Sequence, residues 1–270
     1  MTLADVLRGA TEYLGRKGVD SPRVDAELLL AHALDLKRIE LYTQHDRPLN
    51  DEERACARVL VERRGKREPL AYILGEWGFR TLKLRTDARA LVPRPETEIV
   101  VERALALVAD VEAPRVVDVG TGGGAIALAI TAERPDAHVI ATDTSSAALA
   151  LARENAELLS LQVDFRETNL LDGVEGPLDL VVSNPPYVLD GEEVPPELGF
   201  EPQIALYDRG QTPAVAEAAA SLLDGWLVLE SHEANANEVG ELLTKLGYAD
   251  VAITRDLAGR ERVVEARWTP

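Results

Sequence analysis

The feature that most constrains the fold is an alternation of short apolar runs with longer helical segments, which begins at Arg115 and continues to the end of the chain. The runs at 116–119, 139–142 and 178–182 are mostly aliphatic, as strands buried on both faces of a parallel sheet are. Further predicted strands are 163–167, 226–229, 251–254 and 262–266, and the predicted helices are 125–133, 145–159, 213–223 and 233–246. This order predicts an α/β fold with a doubly wound, mostly parallel sheet of seven strands.

The direction of the last strand follows from the length of its connection. Residues 256–260 are too few for the long crossover that a parallel pair of strands requires. We therefore predict that the last strand, 262–266, runs antiparallel to the strand before it. The sheet should be parallel throughout except at this end.

The first part of the chain has helical periodicity and predicts a small all-α domain over residues 1–74. Its expected helix caps are Thr2, Ser21 and Asn50. A basic cluster at 63–67 closes the last long helix, and we expect it to be a solvated helix end.

After this domain the helical pattern gives way to an alternation of apolar and polar residues. The change predicts a β-hairpin linker over 75–92, with one strand at 79–84 and its partner at 86–92. The domain that carries the sheet then spans 93–270 and opens with a helix. Glu96 and Glu98 near the start of that helix either favour the helix dipole or serve a site.

The composition bounds the cellular setting. No apolar run is long enough to span a membrane, and no basic segment precedes an apolar run at the start of the chain. A single cysteine, Cys56, excludes an internal disulfide framework and fits a reducing cytosol, and the four histidines are too dispersed for a metal site. We predict a cytoplasmic protein without metal or membrane contact, and nothing in the sequence demands more than a monomer.

The formal net charge of −18 bears on the partner. Proteins that bind nucleic acids usually neutralise phosphates with clustered Lys and Arg. The acidic chain therefore counts against direct nucleic-acid binding and suits a basic protein partner, although acidity also serves solubility.

The stretch richest in chemistry is Asn184-Pro185-Pro186-Tyr187, which follows the predicted strand at 178–182. The prolines end strand pairing and fix the side chains at the carboxyl end of the strand, where open α/β sheets bind ligands. The Asn184 side-chain oxygen and the Pro185 carbonyl can accept both N–H groups of a planar NH2, and Tyr187 can cover its face. Such acceptors would stabilise positive charge as that nitrogen attacks a methyl group. The alternative is an ordinary rigid turn with a capping Asn.

A second motif lies between the first predicted strand of the sheet and its helix, and consists of Gly120, Thr121, Gly122, Gly123 and Gly124. Its glycines allow a sharp turn and a close approach to a ligand. Asp143, at the end of the next strand, can accept hydrogen bonds from ribose hydroxyls. The loop also fits a dinucleotide fingerprint, but the Asn-Pro loop has no role in hydride transfer, and no proton relay is evident. The sequence favours S-adenosylmethionine over a nicotinamide.

Residues 118–128 and 184–187 together resemble class I S-adenosylmethionine-dependent amino-methyltransferases. Residues 69–73, 91–98 and 200–202 narrow the resemblance to the HemK/PrmC family of peptide chain release factor glutamine N5-methyltransferases. The likeness covers nearly the whole chain. It is specific in the combination of the upstream motifs with the tetrapeptide.

The resemblance implies that S-adenosylmethionine binds the glycine loop at 120–124 and Asp143, and that Asn184 contacts both cofactor and substrate. It implies that residues 184–187 hold the glutamine of a Gly-Gly-Gln loop in a release factor, with Asn184, Pro185 and Tyr187 catalytic. It also implies that the helical domain helps to dock that factor.

The chain departs from the family pattern at a few positions. Gly123 stands where the family usually has Ser or Thr, and Leu170 stands where some relatives place an aromatic residue near adenine. After the fifth strand, Ser231-His232-Glu233 differs from the usual Glu-His arrangement, and Glu230 keeps the acidic position. The differences at Gly123 and Leu170 bear on the adenine contact and leave the reaction unchanged.

Two other functions remain open from the sequence. An N6-adenine or N2-guanine nucleic-acid methyltransferase would use the same loop for an exocyclic amine, although the acidity and the lack of a large basic domain weigh against it. A non-catalytic S-adenosylmethionine-binding module is the alternative of a different class. For the enzyme we predict direct methyl transfer without an essential ionisable base.

Overall fold

The computed structural model describes all 270 residues, and its contacts divide the chain into two compact units. The helical unit comprises Met1–Glu76 together with Val194–Phe200. The sheet unit comprises Trp77–Glu193 and Glu201–Pro270. The short segment at 194–200 was not predicted to belong with the helices, because its sequence lies far from them in the chain.

The helices of the helical unit are α1 (Leu3–Arg16), α2 (Pro22–Ala33), α3 (Glu40–Thr43), α4 (Asp51–Gly65) and α5 (Leu70–Leu74). Capping boxes open two of them, at Thr2 for α1 and at Asn50 for α4. Ser21 makes no side-chain cap, and Pro22 at the first position of α2 marks that start instead. Apolar faces meet in one core, whose most buried members include Leu3, Leu14, Leu29, Leu30 and Leu41.

The basic cluster at 63–67 is not the solvated helix end that the sequence predicted. Arg64 is buried and donates to Asp25 at 2.6 Å and to Glu197 at 2.8 Å. Arg67 donates to the second oxygen of Glu197, also at 2.8 Å. Arg64 and Arg67 therefore form ion pairs inside the helical unit, where they hold the segment at 194–200 through Glu197.

The predicted hairpin exists, but its strands lie elsewhere. β1 (Glu76–Phe79) pairs with β2 (Leu82–Arg85), whereas 86–92 is not a strand. The turn occurs at Arg80, whose φ of 51° is left-handed and whose N–H donates to the Glu98 carboxylate at 2.9 Å. Each strand places one large side chain, Phe79 or Leu84, in the core of the sheet unit, so the pattern at 79–84 spanned a turn.

The large sheet contains β3 (Arg115–Val119), β4 (His138–Asp143), β5 (Asp164–Glu167), β6 (Leu178–Ser183), β7 (Leu223–Glu230), β8 (Ala249–Arg255) and β9 (Glu261–Trp268). Its helices are α6 (Thr97–Leu107), α7 (Ala125–Glu133), α8 (Ser146–Leu159), α9 (Gln211–Ala220) and α10 (Ala236–Leu246). A short 3-10 turn covers Pro196–Phe200 in the helical unit, and another covers Gln203–Ala205 in the sheet unit.

The seven strands follow the order β5-β4-β3-β6-β7-β9-β8. Strands β3 to β7 pair in parallel, and β9 is antiparallel to both of its neighbours. The predicted doubly wound sheet with an antiparallel last strand is confirmed. Apolar side chains fill one core on each face of the sheet, with Val116 and Val182 on one side and Val117 and Val181 on the other.

The strand register determines where the motifs lie. Val119 at the end of β3 pairs with Thr142 of β4 and with Ser183 of β6. The chain order reverses at β3, whose neighbours are β4 on one side and β6 on the other. The residues at the carboxyl ends of these three strands, including Asp143 at the end of β4 and Asn184 directly after β6, consequently meet at the switch point where α/β sheets bind ligands.

Candidate functional site

A cavity of about 360 Å³ opens at the carboxyl ends of β3, β4 and β6. Of the predicted site residues, those in its wall are Gly120, Thr121, Gly122, Gly123, Asp143, Leu170, Asn184, Pro185 and Pro186. Gly124 and Tyr187 do not line it. The volume falls within the usual range for small-molecule sites.

The glycine loop is braced by the neighbouring strand. Gly120 and Gly122 have left-handed φ angles of 72° and 57°, which only glycine adopts readily. The Asp143 carboxylate accepts the Gly122 N–H at 2.9 Å through one oxygen and the Ser145 N–H at 2.8 Å through the other. The carboxylate predicted for ribose thus also holds the loop that borders the cavity.

A second carboxylate, which sequence reasoning missed, lies below the loop. Asp118 in β3 is fully buried, and its Oδ2 accepts the Thr121 hydroxyl at 2.6 Å and the Ala127 N–H at 3.1 Å. Its Oδ1 has no hydrogen-bond partner. Burial raises the pKa of Asp118 to about 7, and the nearby Asp143 charge adds to that shift. The sequence signal for this buried carboxylate was a single Asp within the apolar run at 116–119.

Gly124 has a packing role. Its φ is 87°, and a Cβ there would lie 3.0 Å from Leu128 and 3.2 Å from Ala152. Gly124 therefore lets α7 and α8 approach each other directly behind the loop.

Asn155 in α8 also supports the loop. It is buried, and its Nδ2 donates to the Gly123 carbonyl at 3.0 Å. Its Oδ1 accepts the Arg85 N–H at 2.7 Å. One side-chain amide thus ties the hairpin to the glycine loop.

Asn184 is held by a short chain of hydrogen bonds. Its Nδ2 donates to the Thr97 hydroxyl oxygen at 3.3 Å, and the Thr97 hydroxyl donates to Glu230 Oε2 at 2.6 Å. Thr97 belongs to the first turn of α6 and lines the cavity, whereas Glu230 ends β7. The sequence drew attention to Glu96 and Glu98 in this turn, but not to the threonine between them.

Those two glutamates bind elsewhere. Glu96 accepts from Arg260 at 2.9 Å, and Glu98 accepts from the Arg80 N–H at the hairpin turn. Neither lines the cavity. Their role is to fix the approach to α6, which begins at Thr97 and not at Pro93 as predicted.

Tyr187 lies beside the cavity wall instead of forming it. Its ring centroid is 5.9 Å from that of His232. Burial raises the pKa of Tyr187, and the charge of Glu230 raises it further. The predicted stacking of this ring on a substrate remains a prediction.

Two of the sequence motifs behind the family resemblance meet at one carboxylate. Glu201 is buried and accepts the Val92 N–H at 2.9 Å, and it also pairs with Arg94. Val92, Arg94 and the adjacent Pro202 all line the cavity. Glu201 therefore links the segment before α6 to the segment after the Asn-Pro loop, on the same side of the site.

The site offers amide and carboxylate oxygens as hydrogen-bond acceptors, but no cluster of metal ligands. No group of three or more His, Cys, Asp or Glu is placed to hold a metal ion. None of the helices combines the length and the apolar character that crossing a membrane requires.

Known proteins resemble this chain over nearly its whole length. The family model for the PrmC N-terminal domain matches residues 5–75, and the model for the methyltransferase small domain matches residues 98–218. A release factor glutamine methyltransferase of Deinococcus radiodurans is 46% identical and covers 99% of both chains. One of Xylella fastidiosa is 44% identical over 91% of this chain and 93% of its own.

Among solved structures, a 16S rRNA N2 methyltransferase of T. thermophilus in complex with AdoMet and guanosine superposes with a TM-score of 0.53. It is 18% identical and covers 72% of this chain and 49% of its own. At that identity the likeness shows a shared fold.

Proposed function

This chain belongs to the release factor glutamine methyltransferase family, and from that premise we propose that it methylates the side-chain amide nitrogen (N5) of the glutamine in the Gly-Gly-Gln loop of peptide chain release factors. The methyl donor is S-adenosyl-L-methionine. The observation that carries the proposal is the Asn184 amide, which lines the cavity with its nitrogen bound to Thr97.

The cavity fits the cofactor. The Asp143 carboxylate provides acceptors suited to ribose hydroxyls, and Gly120 and Gly122 keep the loop free of side chains on the ligand side. Leu170 offers an apolar surface suited to a base. When bound, S-adenosylmethionine supplies a methyl group already activated by its positive sulfonium. We assign cofactor binding to Gly120, Thr121, Gly122, Gly123, Asp143, Leu170 and Asn184, which line the cavity, whereas Gly124 supports the loop through helix packing.

The chain's own contribution is to hold the substrate amide. With its nitrogen bound to Thr97, Asn184 has its oxygen left to accept one substrate N–H, and the Pro185 carbonyl is assigned the other. These acceptors weaken the delocalisation of the amide nitrogen and favour the developing positive charge. Pro186 stiffens the loop, and Tyr187 is assigned to cover the amide. The proton then leaves to water.

The finer properties belong to the same proposal. The helical unit docks the release factor, and the enzyme acts in the cytoplasm as a monomer on protein, without binding nucleic acid directly. The formal charge of −18 supports a basic protein surface as its partner. Binding that did not weaken with added salt would count against this charge-based docking.

The test is transfer of labelled methyl to purified release factor, beside a factor whose Gly-Gly-Gln glutamine is changed to alanine. We expect label on the unmodified factor alone. Label on DNA or ribosomal RNA in place of the factor would establish a base-directed enzyme. Cofactor binding without transfer to any of these would leave a non-catalytic module.

A further inference from the structure

We propose that Thr97 and Glu230 are positioning residues that hold the Asn184 side chain with its amide oxygen towards the substrate. The inference rests on the proposed function, because it concerns the acceptor assigned to the substrate amide. It goes further by naming two residues, distant in sequence from the Asn-Pro loop, that set the direction of that acceptor.

The direction of each hydrogen bond follows from the chemistry of the groups. An ionised carboxylate only accepts, so the single Thr97 hydroxyl proton is used on Glu230, at 2.6 Å. The Thr97 oxygen can then only accept, and of the two ends of a side-chain amide only the NH2 can donate to it. Asn184 therefore presents nitrogen to Thr97 and keeps its oxygen for the cavity side.

The three residues come from separate elements, so the arrangement is built by the fold. Thr97 opens α6, Asn184 follows β6, and Glu230 ends β7. Glu230 and Thr97 are 2% and 5% exposed, so water has little access to compete for the hydroxyl. A buried carboxylate retained beside a neutral threonine costs desolvation energy, which is consistent with a role in the site.

The negative charge of Glu230 sets the direction of both hydrogen bonds, from Thr97 to Glu230 and from Asn184 to Thr97. The groups that face it are Arg262 on β9, Arg94 and Glu96 before α6, and Tyr187 after β6. Burial raises the pKa of Glu230 to about 7. Once protonated, Glu230 can donate to Thr97, whose own proton then turns towards Asn184 and selects the amide oxygen.

Kinetics with release factor provide the first test. Thr97→Val should lower kcat about 10- to 100-fold while the Kd for S-adenosylmethionine stays within about twofold, because misplaced acceptors slow transfer without weakening the cofactor. Thr97→Ser, which keeps the hydroxyl, should recover most of that loss. An unchanged kcat in Thr97→Val would overturn the proposal.

The pH profile provides the second test. In the wild type, kcat should fall about tenfold per pH unit below about pH 7, as Glu230 gains a proton. Glu230→Gln cannot ionise, and its profile should be flat across that range. Glu261→Gln, a partly exposed control outside the cavity wall, should keep the wild-type profile. Identical profiles for Glu230→Gln and the wild type would contradict the proposal.

A third measurement does not depend on methyl transfer. The side-chain NH2 signals of Asn184, identified by their loss in Asn184→Ala, should shift between pH 8 and 6 in the wild type and stay fixed in Glu230→Gln. If the wild type transfers no methyl group but the signals shift as expected, the proposed function fails and the positioning inference stands. If methyl transfer is normal and the signals are unaffected by Glu230, the inference fails alone.

Discussion

The backbone N–H of Gly122 donates to the side-chain carboxylate of Asp143 across 2.9 Å, so the two motifs predicted to bind the cofactor are bonded to each other. The parallel register of β3 and β4 brings them together, because Val119 pairs with Thr142 in the sheet. The glycine loop follows Val119, and Asp143 follows Thr142. One carboxylate therefore shapes the loop and offers acceptors to a ligand.

Replacing Asp143 with alanine should weaken S-adenosylmethionine binding by about 10- to 100-fold, the equivalent of about 1.5–3 kcal/mol for a lost charge-assisted hydrogen bond. Calorimetric titration of the ligand-free protein measures this. Asp164→Ala on β5 removes an exposed carboxylate and should leave the affinity unchanged. Equal affinity in Asp143→Ala and the wild type would remove Asp143 from the cofactor site.

Asn184→Ala should reduce kcat for release-factor methylation by about 10²- to 10³-fold, the usual cost of removing one acceptor or donor that acts in a transition state. Cofactor affinity should change much less. Single-turnover transfer of labelled methyl separates the two effects. Asn237→Ala removes an exposed Asn that binds Glu261, and serves as the matched control. Normal turnover in Asn184→Ala would refute the role assigned here.

Asp118 should make the ligand-free protein less stable as pH rises. Its folded-state pKa is about 7 against an ordinary value of 3.8, so between those limits the folded state holds the proton more tightly than the unfolded state. Stability from this group therefore falls as pH rises to about 7 and is constant above it, by a few kcal/mol in total.

Denaturant unfolding of Asp118→Asn beside the wild type, at several pH values, checks this. The stability difference should move in favour of the variant by up to about 1.4 kcal/mol per pH unit within that window. Asn can still accept from Thr121 and Ala127, so the fold should persist. A difference that did not vary with pH would mean that Asp118 is ionised throughout.

Arg64→Ala should destabilise the helical unit by about 3–5 kcal/mol, because it leaves the buried Asp25 without its partner and leaves Glu197 with Arg67 alone. Arg8→Ala breaks an exposed pair with Asp5 and should leave the stability of the helical unit nearly unchanged, because solvent screens such a pair. Amide hydrogen exchange in α1, α2 and α4 measures both. Similar protection in the two variants would argue against an energetic role for the buried pair.

The sheet could be predicted from the sequence because its signals are local. Aliphatic runs identify buried strands, and the short link at 256–260 requires an antiparallel end. The predicted strand boundaries of the hairpin were wrong because they depend on contacts that are not local in the sequence. Its pattern at 79–84 holds two inward-facing side chains that belong to different strands, and the turn between them depends on Arg80, which binds Glu98.

The site shows the same division. Gly120, Asp143 and Asn184 stand in recognisable motifs at strand ends, and the register brings them together. Thr97 and Asp118 lie inside the stretches behind the family resemblance, but only the partners that the fold brings to them, such as Glu230 for Thr97, show what they do. Long-range hydrogen bonds between isolated polar residues cannot be read from spacing.

The division of the chain bears on how such a protein can be cut or recombined. The helical unit takes Val194–Phe200 from the middle of the sequence, so the chain passes between units three times. Glu197, in that segment, is the partner of Arg64 and Arg67. A gene fragment ending near residue 76 would therefore encode the helices without the acidic partner of Arg64 and Arg67. Recombination at the single junction near residue 76 would therefore separate the N-terminal helices from Val194–Phe200, which belongs to the same compact unit.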